Sequence, residues 1–282
     1  SGTTPYTLGF RKSYRLQNGN QTQADSDAFI RFKTTLEAQD IANSGWNYVS
    51  SSSFITLSFW IKSTVAQNFY GRLQTVDGTS QNYSFETGSL SQDTWTKVTK
   101  TIPGNSNLQF DNNNGAGLIL EIAAWYGTDY TSSGVSLNTW ATYASGTRTP
   151  DQTSTWYLTN DAKLEITGVQ LEVGSVATDF EHRTYAQELS LSQRYYQQLT
   201  LPKHYANGSN SSYIYETYLL PVRQRANGAG SVVSQCRYYS GGSGANFTPT
   251  VSPLTDRVLV QGLALTNGNG FVNGTIALDA EL

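Results

Sequence analysis

The sequence predicts a mainly β protein: a jelly-roll β-sandwich followed by a connecting α-helix and a smaller C-terminal β domain. Three observations predict it. Short runs of alternating apolar and polar residues recur at fairly regular spacing, punctuated by Gly, Asn and Asp, which is the pattern of antiparallel sheets and not of α/β units. Hydrophobic residues make up 38% of the 282 and charged residues 14%, while 18 Tyr, 11 Phe and 6 Trp supply core volume that Leu-rich helices would otherwise provide. Between Leu164 and Leu199 the period changes from two to helical, and β periodicity returns afterwards.

Taken in order, residues 1–20 are polar and turn-rich, with Tyr6, Leu8, Phe10 and Tyr14 marking a short strand or an arm. Ala28 to Leu36 alternates as a strand with one apolar face, and Glu37 to Asn43 can make a helical turn before Gly45. Phe54 to Lys62, FITLSFWIK, is the most apolar strand and is expected to be central in its sheet. Phe69 to Val76 is the next strand, closed by the turn chemistry of Asp77-Gly78. Tyr83 to Glu86 and Trp95 to Ile102 follow, the second ended by Pro103-Gly104-Asn105. Leu118 to Tyr126 is apolar enough to be buried on both faces, whereas 128–161 has weak periodicity and reads as loops around short strands.

Leu164 and Ile166 alternate in one phase, and Val169, Leu171 and Val173 in the other, so a bulge is expected at Gly168, which tolerates the backbone angles required. Further on, Thr184 and Gln187 have the spacing of a capping box. Tyr185, Leu189, Tyr195, Tyr196 and Leu199 then give apolar positions at helical spacings up to Pro202. Beyond it, 212–225, 230–240, 257–266 and 271–282 read as four strands joined by Asn-Gly and Gly-Gly turns, a thin core that needs the first domain or further copies to complete it. The expected organisation is therefore 1–183 sandwich, 184–200 connecting helix and 201–282 small β domain.

The strand GVQLEVGSVATDFEHR and the helix YAQELSLSQRYYQ resemble a widespread family of bacteriophage tail-fibre and virion appendage proteins, as does the terminus Asp279-Ala280-Glu281-Leu282. Leu219-Leu220-Pro221-Val222-Arg223 is similar to the strand that follows the helix in that family, although Arg225-Ala226-Asn227 departs from the proline often found next there. A second, weaker resemblance covers roughly residues 28 to 181. The order SFWIKS, TWTKVTKTIPG and an apolar strand carrying Trp125 is similar to carbohydrate-binding modules of the jelly-roll type. Together these imply a virion protein, a tail fibre or spike that binds a host surface glycan without catalysis. Its implied partners are other copies of itself, most simply as a trimer, and other virion proteins. A capsid decoration or head-fibre protein is the alternative, and a polysaccharide depolymerase a third reading.

Composition excludes several classes. A formal net charge of −3 offers no basic face to a phosphate backbone, so no nucleic-acid partner is expected. The single cysteine, Cys236, rules out an internal disulfide framework and is expected to pack as a small hydrophobe. No apolar run approaches the ~18 residues of a membrane helix, and the N-terminus lacks a signal-peptide pattern. The chain contains no Met, position 1 included, so it is expected either to have lost its initiator or to continue upstream into an anchoring segment. With only His182 and His204, and no nucleophile elbow, P-loop or dinucleotide fingerprint, triad hydrolases and nucleotide enzymes are set aside.

What remains for catalysis is a carboxylate pair: Asp179 and Glu181 share a face of an extended segment just after Glu165 and Glu172. The structural alternative, a polar cluster of Glu181, His182 and Arg183 at the helix start, is the stronger reading, and no catalytic residue is assigned. For metals, Asp25-Ser26-Asp27 lacks the rest of a calcium loop. The stretch from Asp111 to Gly115 suits either a turn or calcium, which the carbohydrate-module resemblance makes a structural candidate. Glycan binding needs aromatic faces beside polar side chains. Trp125, Tyr126, Asp129, Tyr130 and Trp140, with Asn138 and Tyr143 nearby, form the candidate ligand-binding set. Trp125 and Trp140 suit the core equally well, whereas Tyr126 and Tyr130 are expected to be exposed. The Asn-x-Ser/Thr sites at Asn20, Asn82, Asn246 and Asn273 are incidental in a protein made in bacteria.

Overall fold

The structure, a computed structural model, describes residues 4–208, 215–240, 243–247, 249–261 and 268–280, which fall into two compact units, Ser1–Glu181 and His182–Leu282.

In the first unit a single turn of helix, α1 (Thr4–Thr7), precedes β1 (Tyr14–Gln17) and β2 (Phe29–Glu37), and a second turn, α2 (Ala38–Ala42), ends just before Gly45. The strands β3 (Phe54–Ser63), β4 (Asn68–Thr75), β5 (Gln81–Ser89), β6 (Thr96–Pro103), β7 (Ala116–Tyr126) and the short β8 (Trp140–Thr142) follow, then the helical turn α3 (Thr155–Leu158) and β9 (Lys163–Val173). One antiparallel sheet runs β1-β9-β3-β6 and the other β2-β7-β4-β5-β8. With three-residue β8 set aside, each successive strand changes sheet except at β4 to β5. This is the crossing pattern of a jelly roll.

Side-chain alternation explains why the two sheets stack. Leu57, Phe59 and Ile61 of β3, Leu73 of β4, Tyr83 and Phe85 of β5, and Leu118, Leu120 and Ile122 of β7 all point inward into one contiguous core. As the FITLSFWIK run suggests, β3 lies between two neighbours. The bulge expected at Gly168 is present: Ser58 pairs with Gln170 but Trp60 with Thr167, and Gly168 has φ +60°. A Cβ on Gly168 would also come within 2.6 Å of the Phe10 ring, so the site requires glycine for space as well as for backbone angle.

The second unit begins with α4 (Tyr185–Gln193). Its capping box is formed: Thr184 accepts from the Gln187 N–H, and the Gln187 side chain accepts from the Thr184 N–H. Arg183 adds an ion pair to Glu188 in the first turn. The expected helix over 184–200 is corrected. It stops at Gln193, and Tyr196 opens a strand, β10 (Tyr196–Gly208), which passes through Pro202 with a register shift between Leu201 and His204. An irregularity of that kind is where a strand accepts a residue that cannot donate. Then come β11 (Tyr215–Leu219), β12 (Ala229–Ser240), β13 (Ser243–Phe247), β14 (Thr250–Pro253), β15 (Arg257–Gln261) and β16 (Gly268–Asp279).

Instead of four strands, the described part of this unit has seven, in sheets β10-β16-β12-β13 and β11-β15-β14. Its core gathers Val258, Val260, Ile276 and Leu278, with Leu199, Tyr218 and Val232 packed against them. Gln197 donates to the Val222 carbonyl and Gln224 to the Leu278 carbonyl, tying the 220s loop to this sheet. The Gly241-Gly242 turn and the side chain of Cys236 lie outside the described residues.

Candidate functional site

The outer face of the five-stranded sheet carries a dense polar network, and strand register dictates its layout. Arg31 of β2, Ala123 of β7, Tyr70 of β4 and Glu86 of β5 form one row across the sheet; Lys33, Glu121, Arg72 and Ser84 form the next; Thr35, Ile119, Gln74 and Asn82 form a third. In strands that are otherwise apolar, charges at these outward positions meet directly opposite one another.

Glu121 is the hub. It accepts from Arg72 Nε at 2.7 Å, pairs with Arg31 Nε at 3.1 Å and takes a hydrogen bond from the Tyr126 hydroxyl. Arg72 also donates to Gln74 and Asn82. Both Arg72 and Glu121 are buried. Burial by itself raises the carboxyl's pKa, but the two guanidiniums and the Tyr126 hydroxyl outweigh it and hold Glu121 below the ordinary value. The same burial, followed by the charge of Glu121, pushes Tyr126 up to about 12, so it stays a neutral donor.

A loop closes over this network. Asn82 and Ser84 both donate to the carbonyl of Arg148, whose own N–H donates to the Tyr130 carbonyl, and Tyr143 lies under the Arg72 guanidinium at 5.3 Å. At the loop's margin two aromatics face solvent. Phe29 is 46% exposed and meets Tyr130, itself half-buried, edge to face at 5.5 Å. The Arg31 guanidinium lies over Phe29, and that of Arg148 over Tyr130, each at 4.3 Å. Exposed Asp129 and Lys33 complete this margin.

The candidate set named from sequence is thus divided. Asp129 is exposed at the margin, and Tyr130, expected to be exposed, is half-buried there. Trp125, Tyr126 and Trp140 do not stand there: Trp125 stacks on Tyr157 in the core, and Trp140 packs on Tyr83 and donates to the Pro103 carbonyl. Tyr126, expected to be exposed, is 1% exposed beneath Arg148. Phe29, Arg31 and Arg148 were missed. Phe29 opens a strand whose outward positions are Phe29, Arg31 and Lys33, and that alternation is the signal that points to it.

The other chemistry-bearing residues have structural partners. Glu165 pairs with Arg15 and Lys62; burial raises its pKa, but their hydrogen bonds bring it below the ordinary value. Glu172 accepts from Thr178 N–H, Thr178 Oγ1 and Gln170, and is lowered likewise against its burial. Gln170 accepts in turn from the Glu181 N–H, so these side chains pin 174–181 to the strand. In the 111–115 stretch, Asn113 Oδ1 accepts from the Gly115 N–H and Asn112 Oδ1 from Asn43, which makes it a hydrogen-bonded turn whose oxygens are engaged by protein donors. Among the described residues, no group of three or more His, Cys, Asp or Glu gathers in a metal-binding arrangement.

A cleft of about 910 Å³ opens between the two sheets beside β1, with Leu16, Phe32, Leu36, Ile55, Leu171 and Val173 among its walls and Arg31, Lys33, Asp40 and Glu172 also lining it. Arg31 and Lys33 thus border both this cleft and the outer sheet face.

No family model and no curated protein matches the chain. Solved structures similar to it include the following two. A structure of PNGF-II shares 10% identity at a TM-score of 0.20, covering 96% of this chain and 66% of that one. A Paenibacillus sp. cycloisomaltooligosaccharide glucanotransferase complexed with cycloisomaltoheptaose shares 9% identity at 0.18, covering 94% of this chain and 44% of that one. At these TM-scores neither likeness bears on fold or function.

Proposed function

We propose that the chain is a non-catalytic glycan-recognition protein of a bacteriophage appendage, a tail fibre or spike, in which the sandwich binds a host surface sugar and the second unit assembles copies, most simply as a trimer. The observation that carries the recognition reading is the solvent-facing Phe29–Tyr130 pair, flanked by Arg31, Arg148, Lys33 and Asp129 on the outer face of the sheet. Aromatic edges and faces pack on sugar rings while Arg, Lys and Asp serve hydroxyl groups, and the buried Arg72–Glu121 network beneath keeps that surface rigid. Assembly is supported by α4, which has no buried residue and leaves Tyr185, Leu189 and Leu191 exposed. Several weak sites on one oligomer would raise avidity without new contacts. The phage assignment rests on the resemblance of the strand and helix around Thr184.

Binding to host cells and to a glycan array should fall about ten-fold or more for Phe29→Ala and for Tyr130→Ala, in line with loss of one stacking contact of about 1–3 kcal/mol. Unchanged binding by both variants, or an intact oligomer that binds no glycan, overturns the recognition reading. Light scattering that shows a stable monomer overturns the assembly reading, and labelling of particles in the electron microscope separates tail from head.

A further inference from the structure

Charge on the outer sheet face is unevenly balanced. Arg31 and Arg72 share one carboxylate, Glu121. Arg148 has no ion pair among the described residues; its guanidinium lies over Tyr130 at 4.3 Å and Tyr126 at 5.7 Å, and its Nε is buried without a hydrogen-bond partner. Arg31 Nη1 is likewise buried without one. Lys33, exposed and directly across from Glu121 in the strand register, makes no ion pair among the described residues. Four cations therefore stand on this face with two carboxylates of the sheet, Glu121 and Glu86, in a chain whose formal charge is −3. Asp129, at the margin, offsets this in part.

A cation left unpaired beside an aromatic surface is a receptor for an anion. Guanidinium forks bind carboxylates through paired N–H donors, and such contacts are stronger than neutral ones. The same cluster gives a neutral sugar donors in excess and few acceptors for its hydroxyl hydrogens. Building on the glycan-recognition reading above, we infer that the sugar taken at this face is acidic, its carboxylate received by Arg148 with Lys33 and Arg31 alongside, and its ring resting on the Phe29–Tyr130 edge.

The test uses the whole chain on an array in which each acidic glycan is printed beside its carboxyl-reduced counterpart, read at low salt and at about 0.5 M, where exposed charge pairs are screened. The bound spots are expected to be acidic. Signal should fall about ten-fold or more on carboxyl reduction, on raising salt and in Arg148→Gln, a change equivalent to one charge-assisted hydrogen bond. Arg148→Lys, which keeps the charge and loses the fork, should fall between. Binding that survives carboxyl reduction overturns the inference and leaves glycan recognition standing; no binding to either member of any pair overturns both. Carboxyl reduction changes only the ligand, so the outcome holds even where Arg148→Gln fails to fold.

Discussion

The two units spend their apolar residues differently. In the first, Phe59, Phe69, Phe85, Leu57 and Trp156 are wholly enclosed between sheets that meet across a wide face. In the second, the described core gathers four buried side chains, while Leu219, Val233 and Leu259 stay exposed on its strands, Leu219 at 75%. A sandwich that buries its own large residues is stable alone. A unit that leaves alternate strand positions apolar and uncovered gains stability by meeting another surface. The proposed division of labour, recognition in the first unit and assembly in the second, fits this difference among the described residues.

The largest expected effects break the first half of that comparison. Trp156→Ala removes a fully buried ring and should cost about 3–5 kcal/mol. In calorimetry it should lower one transition and leave a second in place; a single transition moving as a whole would mean that the sandwich does not stand by itself. Next comes Arg72→Ala, which leaves Glu121 buried with Arg31 as its remaining cation. Loss of one partner of a buried pair puts the cost near 3 kcal/mol, at the low end of the usual range because Arg31 stays. Urea denaturation followed by Trp fluorescence measures it, and a change under about 1 kcal/mol would make the network a surface feature.

Much of the first unit was legible because period-two alternation and burial agree there. The Gly168 bulge, the central position of FITLSFWIK and the Thr184–Gln187 box each follow from local chemistry alone. The helix end was not, since Tyr195, Tyr196 and Leu199 fit a helical stripe and an alternating strand equally, and Pro202 stops a helix yet sits at a strand irregularity. The site was half legible. Glu121 interrupts an apolar strand expected to be buried on both faces, and a carboxylate in such a place signals a buried cation; Arg72, outward on the neighbouring strand, is that cation. What no local pattern could supply is the return of the 127–149 loop over the sheet, fixed by hydrogen bonds from Asn82 and Ser84 to a carbonyl 64 or more residues away, and it is this loop that buries Tyr126.

A smaller effect sharpens the comparison through pH. Three lowered carboxyls, Glu121, Glu165 and Glu172, belong to the first unit, whereas in the second the exposed Asp256 is lowered by its hydrogen bond from Arg257. A group with a depressed folded-state pKa stabilises above its unfolded value and loses that contribution as pH falls through the folded one. The first unit should thus hold its melting temperature down to about pH 4.5, the ordinary carboxyl value, and lose it progressively below. Glu121→Gln should flatten that slope while lowering stability at neutral pH. An unchanged slope in the variant would assign the acid sensitivity to Glu165 and Glu172 instead.

The smallest effect concerns the helix that opens the second unit. Thr184 accepts the Gln187 N–H at 3.4 Å and its own N–H is received by the Gln187 side chain at 2.9 Å, so Thr184→Ala strips one donor's partner and loosens the other. Cap removal of this kind costs about 1 kcal/mol. Because α4 buries none of its residues, packing within the chain does little to hold it, and a nine-residue helix without tertiary support is marginal in water. The cost should therefore appear as fraying, read as faster amide exchange over 185–193, with the sandwich transition unmoved. If α4 is an assembly surface, the same substitution should weaken the oligomer on dilution more than it lowers any melting temperature. An oligomer indifferent to Thr184→Ala would place the contact on the exposed strand residues Leu219, Val233 and Leu259.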